Sequence, residues 1–299
     1  MTNAQQVASP ASADKYRPFL DASFYPSSDV KSDWTYQIAS EEGLDELSEA
    51  RQMHAALPRP LRVLVLYGSN RPRSFSKFMA FEAARILHHL GCELRVYDPH
   101  GLPLKDDYDH PDVDATSGTE AHPKVVELRQ LVTWSEAQFW CSPEQHGNIT
   151  GIMKTMIDHI PLSLGSVRPT QGKILAVSQV NGGSQSFNAV NSMRVLGRWM
   201  RMFTIPNQAS LPKAWTQFTQ EGRMMDSSNR ERLVDVVEEL VKVSCLFYGR
   251  DETFASRWSE RKERAEKGRL LSQAEKEKQK EQEKAAAAAK DVKITPDVI

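Results

Sequence analysis

Residues 68–77 bring together side chains of the types that can bind an anion such as a phosphate group. The segment reads Gly-Ser-Asn-Arg-Pro-Arg-Ser-Phe-Ser-Lys, so hydroxyls and cations are closely spaced. It follows an apolar, β-branched run at 63–67, typical of a buried strand, and precedes apolar residues three or four apart, typical of a helix. A turn between a strand and a helix N-terminus presents unpaired backbone N–H groups to an anion, and hydroxyl and guanidinium donors strengthen such a site. The candidate phosphate ligands are Ser69, Arg71, Ser74 and Ser76, and Phe75 is a further candidate for binding the same ligand.

The number and spacing of glycines in this segment limit which phosphate-containing ligand it could bind. A triphosphate loop needs Gly, four residues and Gly-Lys-Ser/Thr, and a dinucleotide loop needs G-x-G-x-x-G, whereas this segment has a single glycine. Hydroxyls in place of glycines suit one terminal phosphate, such as that of flavin mononucleotide (FMN), which flavodoxin-like folds hold at their first strand–helix turn. The alternative interpretation is an N-capped helix beside a solvated turn, in which Ser74 and Ser76 serve only as caps.

Two further polar, glycine-containing segments follow predicted strands. One is the loop 142–150 after the strand at 137–141, and the other is 181–188 after the strand at 173–178. In a doubly wound sheet the carboxyl ends of the strands share one edge, where ligands bind at the reversal of strand order. We therefore expect all three segments to share one crevice, with glycines that let the backbone approach a flat ring closely.

The elements that must position these segments form one α/β domain. Strand and helix patterns alternate, with a fifth strand at 202–205 or 208–211. This alternation predicts a flavodoxin-like, doubly wound, five-stranded parallel sheet with helices on both faces. The predicted organisation is a disordered N-terminus (1–15), an aromatic arm with a short helix at 41–57 (16–58), the FMN-binding domain (59–250), and a charged, Ala-rich tail, helical or disordered (251–299). The arm is too aromatic for a linker and should lie against a domain surface or a neighbouring subunit.

Composition limits the classes of function. The 299 residues carry a formal net charge of −1, which gives no reason to expect nucleic acid or an anionic membrane as a partner. Three cysteines, Cys92, Cys141 and Cys245, have neither a disulfide nor a zinc spacing, so we expect no metal site. Apolar runs fall short of membrane-spanning length, and the N-terminus lacks a signal-peptide pattern. These features predict a cytoplasmic protein.

Three motifs together resemble the NADPH-dependent FMN reductases, and among them the arsenical-resistance flavoproteins. The motifs are 68–76, 142–148 with Lys154 and Asp158 downstream, and 180–188. The resemblance extends over about residues 18–250 and excludes the tail. One departure is Asn181, since a serine is more usual before the glycine pair.

The resemblance implies a flavodoxin-like fold, bound FMN, NADPH as reductant and a homotetramer. It maps phosphate binding onto Ser69, Arg71, Ser74 and Ser76. It maps ring binding onto Pro143, Glu144, Gln145, His146, Gly147, Asn148, Ser178, Gly182 and Gly183. The implied reaction passes hydride from NADPH through FMN to a small-molecule acceptor such as a quinone, dioxygen, an azo compound or a metal ion. The implied role is arsenical resistance, through oxidation of trivalent methylated arsenicals or through limiting oxidative stress.

Several roles stay open at the level of sequence. Flavin chemistry requires no obligate catalytic side chain, and His146 is either a proton donor or a residue that only shapes its loop. Arg71 and Arg73 are both candidates for the FMN phosphate and for the 2′-phosphate of NADPH. Cys141 is a candidate thiol for trivalent arsenic, although its position is more typical of a small buried strand residue. The alternative functions are a flavodoxin-like FMN electron carrier and a binding scaffold, both without NADPH turnover.

Overall fold

The chain alternates strands and helices in a computed structural model that describes residues 15–21, 30–105, 122–162, 168–250, 253–254, 257–271 and 273–291. The helices are α1 (Trp34–Ala39), α2 (Ser48–Ala55), α3 (Phe75–His89), α4 (Pro123–Trp134), α5 (Gly151–Asp158), α6 (Asn188–Trp199), α7 (Ser228–Phe247), α8 (Trp258–Lys267) and α9 (Gln273–Asp291). The strands are β1 (Arg62–Tyr67), β2 (Glu93–Val96), β3 (Ala137–Gln145), β4 (Asn148–Ile149), β5 (Ile174–Val180) and β6 (Phe203–Leu211). Short 3₁₀ turns lie at Pro18–Leu20, Val30–Ser32 and Ala214–Thr216.

Five strands form a parallel sheet in the order β2-β1-β3-β5-β6, and β4 pairs antiparallel with the end of β3 outside this path. Val63 of β1 lies opposite Leu94 of β2 and opposite Ala137 of β3, so β1 is flanked on both sides. Numbered along the parallel strands alone, the order is 2-1-3-4-5, which is that of flavodoxin-like folds, with the reversal between β1 and β3. The predicted five-stranded, doubly wound sheet is confirmed.

Successive residues of β1 enter two separate cores, one on each face of the sheet. Val63 and Val65 lie in a core with residues of α3 and α7, whereas Leu64 and Leu66 lie in a core with residues of α4, α5 and α6. All four side chains are fully buried. Since both faces are covered by helices, the strand reads as a continuous apolar run instead of an alternating one.

The segment after Cys141, expected to be a polar loop, is instead a β-hairpin. β3 continues to Gln145 and turns back into β4. The turn residues His146 and Gly147 have φ angles of 50° and 72°, the left-handed conformation that a two-residue type I′ turn requires. The end of β3 extends beyond the buried centre of the sheet, so its side chains are polar. The sequence there therefore lacks the apolar run that predicts a buried strand.

Two further boundaries differ from expectation. The fifth parallel strand is the single element β6, which joins the two alternatives across a register irregularity. Pro206 lies in this irregular part and has no N–H to donate to the ladder. The helix predicted at 41–57 is confined to α2, and the separate helix α1 precedes it.

The N-terminal arm packs on α3 and on the edge strand β2. The carbonyl oxygen of Tyr16 accepts a hydrogen bond from the Val96 N–H at 2.9 Å. Phe19 is fully buried, and its carbonyl oxygen accepts from Arg85 Nε at 3.0 Å. Residues 15–21 thus cover the edge of their own sheet, while the aromatic residues of 22–29 and the stretch 1–14, expected to be disordered, lie outside the described residues.

A buried carboxylate joins the tail to the domain. Glu260 of α8 is 2% exposed and accepts a hydrogen bond from Arg168 Nε at 3.1 Å. Lys276 of α9 pairs with Glu263 of α8 at 2.7 Å, which links the two tail helices. In the described ranges, every helix is too short or too polar to span a membrane.

Candidate active site

The turn between β1 and α3 is a buried group of hydroxyls. Ser74 is the N-cap of α3: its Oγ accepts a hydrogen bond from the Lys77 N–H at 3.2 Å and lies 2.9 Å from Ser76 Oγ. Ser74 is 3% exposed, Ser76 is fully buried and Ser69 is 9% exposed. Two hydroxyls that share one hydrogen bond retain one O–H donor between them. The turn is therefore a helix cap that can also donate to an anion.

Gly68 lets this turn approach the start of α5. A Cβ on Gly68 would stand 2.8 Å from Thr150 Oγ1 and 2.9 Å from Met153 Cβ, which is closer than real Cβ contacts. Thr150 Oγ1 donates to the Gly68 carbonyl oxygen at 2.7 Å and, as the N-cap of α5, accepts from the Met153 N–H at 3.2 Å. The end of β1 therefore lies against the start of α5. The first residues of α3 and α5 line one cleft, and the unpaired N–H groups of two helix N-termini make the space in front of them electropositive.

A cleft of about 650 Å³ opens at this edge of the sheet, within the size range of small-molecule sites. Of the described residues, those that line it include two arginines and no carboxylate. Seven of the residues predicted from the sequence line this cleft: Ser69, Arg71, Ser74, Phe75, Ser76, Pro143 and Gln145. The reversal of strand order between β1 and β3 thus coincides with a concave, cationic surface.

The two arginines of the cleft have different surroundings. Arg73 donates to the carbonyl oxygens of Gln220 and Thr219 at 2.6 and 3.0 Å, and its guanidinium lies 5.4 Å from the centre of the Phe78 ring. Arg71 is exposed, and within the described residues its guanidinium makes no hydrogen bond or ion pair. Arg71 is therefore the cation available to an anion in the cleft, whereas Arg73 ties the turn to the chain beyond β6.

The β3–β4 hairpin reaches the cleft through only part of its predicted residues. Pro143 and Gln145 line the cleft, whereas Glu144, His146, Gly147 and Asn148 do not. Neighbouring residues of a strand point to opposite faces, which separates Glu144 from the residues on either side of it. His146 is exposed at the tip of the hairpin. Its φ is positive because the tight turn requires a left-handed backbone there, and the imidazole makes no contribution to that conformation.

Glu144 instead serves the N-terminus of α6. Its Oε2 accepts hydrogen bonds from Gln179 Nε2 at 2.7 Å and from the Ala189 N–H at 3.4 Å. Gln179 Oε1 in turn accepts from the Val190 N–H at 2.9 Å. The N-cap residue, Phe187, offers no side-chain cap, so two side chains from β3 and β5 cap the helix in its place. Glu144 therefore couples the hairpin to the segment after β5.

The third predicted segment lies beside the cleft without lining it. Val180, at the end of β5, lines the cleft, but Gly182 and Gly183 do not. A Cβ on either glycine would meet nothing within 4 Å, so packing does not require a glycine at these positions. Ser178 is fully buried in the sheet, where its hydroxyl donates to the Trp140 carbonyl oxygen at 3.4 Å. The structure does not bring these three predicted residues to the cleft.

The three cysteines lie away from the cleft. Cys92 and Cys141 are buried, and none of the three cysteines lines the cleft. Burial raises the pKa of the Cys141 thiol to about 12, and a hydrogen bond with Ser178 offsets only part of this, so the thiol is neutral at physiological pH. Among the described residues, no group of three or more His, Cys, Asp or Glu side chains could hold a metal ion.

Sequence reasoning missed part of the cleft wall. The missed residues are Asn70, Pro72, Leu104, Thr150, Gly151, Ile152, Thr155 and Val180. Thr150 carried a usable signal, because a threonine directly before a helical pattern marks an N-cap and hence a second helix N-terminus at the same edge. Leu104 had no such signal in the sequence, because it lies in irregular chain after β2, where no helix or strand pattern indicates its position.

Comparison of the sequence with known proteins identifies a family and close relatives. The model of the family described as NADPH-dependent FMN reductase matches residues 61–216. A relative from Acidithiobacillus ferrooxidans named NADPH-dependent FMN reductase ArsH is 54% identical over 212 residues, covering 71% of this chain and 85% of the relative. A relative of the same name from Rhizobium meliloti is 57% identical over 204 residues, covering 68% of this chain and 80% of the relative. The chain therefore belongs to the NADPH-dependent FMN reductase family and, within it, to the ArsH group.

Proposed function

We propose that this chain binds FMN in the cleft, reduces it with NADPH and passes the electrons to a small-molecule acceptor. The observation that carries the proposal is that two helix N-termini and Arg71 line one cleft. Among the described residues, the Arg71 guanidinium has no partner and the cleft wall contains no carboxylate. Helix N-termini and a free guanidinium both favour a phosphate group. Membership of the family supports the identity of the cofactor and of the reductant.

The side chains of the cleft suit both parts of FMN. For the phosphate, the site offers the hydroxyls of Ser69, Ser74 and Ser76 and the guanidinium of Arg71. For the flat ring, it offers an apolar wall with one amide, made by Leu104, Pro143, Gln145, Ile152 and Val180. A mostly apolar wall with a few polar groups is the usual composition of a cofactor site.

FMN bound in this cleft supplies the two-electron chemistry, and the chain supplies binding, orientation and electrostatics. Arg71 and the serine hydroxyls hold the phosphate. The N–H groups at the start of α5 stabilise negative charge in the cleft without moving, because Thr150 fixes the helix against the Gly68 carbonyl. The Glu144–Gln179 pair holds the hairpin in a fixed position relative to the N-terminus of α6.

His146 has two candidate roles, and its geometry favours the structural one. It is exposed, it has a φ of 50°, and it does not line the cleft. Asparagine tolerates a left-handed conformation but cannot donate a proton as imidazolium does. We expect His146→Asn to leave kcat within about twofold, whereas a proton-donor role predicts a loss of about 100-fold or more. Steady-state assays between pH 6 and 8 separate the two outcomes.

The acceptor, the assembly and the compartment are further parts of the proposal. A quinone, dioxygen, an azo compound or a metal ion can take electrons from a cleft that is open to solvent. The proposed role in arsenical resistance is oxidation of trivalent methylated arsenicals, for which dioxygen is the oxidant: it takes two electrons from the reduced flavin to give hydrogen peroxide, which oxidises the arsenical and is reduced to water. Since Cys141 is buried and protonated, we propose that arsenicals are not held by this thiol. The proposed assembly is a homotetramer in the cytoplasm.

Anaerobic reduction tests the proposal. The purified chain, loaded with FMN, should lose its yellow colour on addition of NADPH and regain it when a quinone is added. A yellow protein that NADPH leaves unchanged would support the electron carrier instead, and a chain that does not retain FMN would support the scaffold.

A further inference from the structure

The chain that follows β6 is anchored at one end to the segment beside the cleft and at the other end to a residue of the cleft wall. We refer to residues 213–218 as the rim segment. At its start, the Lys213 N–H donates to the Gly183 carbonyl oxygen at 3.1 Å. At its end, Phe218 stacks on the cleft residue Phe75, with ring centres 5.8 Å apart and ring planes 21° apart. The rim segment therefore runs from the segment after β5 to the start of α3, at the turn between β1 and α3.

Between these anchors the rim segment presents an aromatic ring and a cation to solvent. Trp215 is 64% exposed. Two other tryptophans are similarly exposed, Trp199 and Trp258, but each has a basic side chain over its ring, at 4.9 and 5.6 Å. In the part of the chain that the structure describes, the Trp215 ring has no such neighbour, and the Lys213 ammonium makes no hydrogen bond or ion pair. Both groups are available to a ligand.

The backbone holds Lys213 in a fixed position. Its φ of 46° is in the left-handed region, which is uncommon for a residue with a side chain. Its carbonyl oxygen accepts hydrogen bonds from the N–H and the hydroxyl of Thr216, both at 2.8 Å. Residues in such conformations persist only where neighbouring contacts hold them, and they are enriched at ligand sites.

We propose that the rim segment binds the adenosine part of NADPH, with the adenine stacked on Trp215 and the 2′-phosphate paired with Lys213. This inference rests on the proposed function, because it takes NADPH as the reductant. An open indole face suits a purine ring. A 2′-phosphate needs a free cation. Of the two arginines that line the cleft, Arg71 is assigned above to the phosphate of FMN, and Arg73 donates to two carbonyl oxygens. In this inference Lys213, the exposed cation of the rim segment, is the residue that distinguishes NADPH from NADH.

Substitution of Lys213 tests the specificity. In assays of the FMN-loaded chain, Lys213→Gln should raise the KM for NADPH about tenfold while leaving kcat and the KM for NADH within about twofold, since one charge-assisted contact is lost. Lys213→Arg should keep the preference for NADPH. In equilibrium titrations, Lys213→Gln should weaken binding of 2′,5′-ADP by a similar factor and leave 5′-AMP binding unchanged.

Substitution of Trp215 tests the adenine contact. Trp215→Ala should weaken 2′,5′-ADP and 5′-AMP alike, by about fivefold or more, because both share the adenine. Trp199→Ala, at an equally exposed tryptophan, is the matched control and should change neither.

The outcomes separate this inference from the proposed function. A ratio of KM values for NADPH and NADH that Lys213→Gln leaves unchanged would overturn the inference, as would 2′,5′-ADP binding that is insensitive to both substitutions. A wild-type chain that retains FMN but is reduced by neither nucleotide would contradict the proposed function itself. Retention of FMN by each variant shows that the variant is folded.

Discussion

Replacing Arg71 by alanine tests the phosphate site with little disturbance of the fold. The side chain is exposed and makes no hydrogen bond or ion pair within the described residues, so its removal breaks no contact seen there. The free energy of unfolding of the flavin-free chain should change by less than about 0.5 kcal/mol, as for other surface substitutions. Any loss of FMN affinity then reports the contact with the ligand.

The magnitude follows from the type of contact. A hydrogen bond to a charged group contributes about 1.5–3 kcal/mol, which corresponds to a rise in the Kd for FMN of about 10- to 150-fold. Because Arg71 is exposed, counterions screen the interaction, and the lower half of this range is expected at physiological ionic strength. Lowering the salt concentration should widen the difference between the two proteins.

The assay is a fluorescence titration of FMN into the flavin-free chain. Arg71→Lys should retain part of the affinity, since the charge remains but the bidentate geometry is lost. Arg198→Ala removes an exposed arginine of α6 that does not line the cleft, and it should leave the Kd unchanged. If Arg71→Ala also leaves the Kd unchanged at low salt, the assignment of Arg71 to the phosphate is wrong.

Three further predictions concern the structure that supports the cleft. Gly68→Ala should destabilise the chain by about 1–3 kcal/mol in thermal denaturation and lower its FMN content, because the new Cβ would stand 2.8 Å from an oxygen at the start of α5. Glu82→Gln should cost about 3–5 kcal/mol in urea, because Glu82 is fully buried and accepts from Arg223 Nε at 2.7 Å. Burial raises the pKa of Asp33, but its pairing with Arg223 outweighs this and holds the pKa below the ordinary value. Asp33 therefore stabilises the chain above about pH 4 and loses this contribution as the pH falls through its lowered pKa.

Each of these predictions has an outcome that would contradict it. A Gly68→Ala chain with wild-type melting temperature would show that the turn can move away from α5. Urea denaturation of Glu82→Gln at the wild-type midpoint would mean that the buried pair contributes nothing net. For Asp33→Asn, the stability difference from wild type should be present at pH 7 and shrink toward pH 3; a difference that stays constant with pH would exclude the titration of Asp33 as its cause.

Sequence patterns predict the sheet and the polar turn between β1 and α3 because both depend on local features. The apolar run at 63–67 and the hydroxyl cluster after Gly68 are contiguous in the chain, and the structure keeps them together. The hairpin was not predictable in the same way. Its polar residues read as a loop, and only the backbone conformation of His146 and Gly147 identifies the type I′ turn.

The roles of individual side chains depended on long-range contacts that no pattern encodes. The position of Glu144 in its motif predicts a contact with the ring, and only the structure shows that it also accepts hydrogen bonds from Gln179, 35 residues away, and from the Ala189 N–H at the start of α6. Arg71 and Arg73 were equivalent in the sequence, and the carbonyl oxygens that occupy Arg73 lie 146 and 147 residues further along the chain. Such assignments require the tertiary structure.

The most direct test of the phosphate site compares FMN with riboflavin, which lacks the phosphate, in equilibrium titrations of the flavin-free chain. If the serine hydroxyls and Arg71 anchor the phosphate, FMN should bind at least about 100-fold more tightly than riboflavin, since several charge-assisted hydrogen bonds are lost together. Equal affinities for the two flavins would contradict the account.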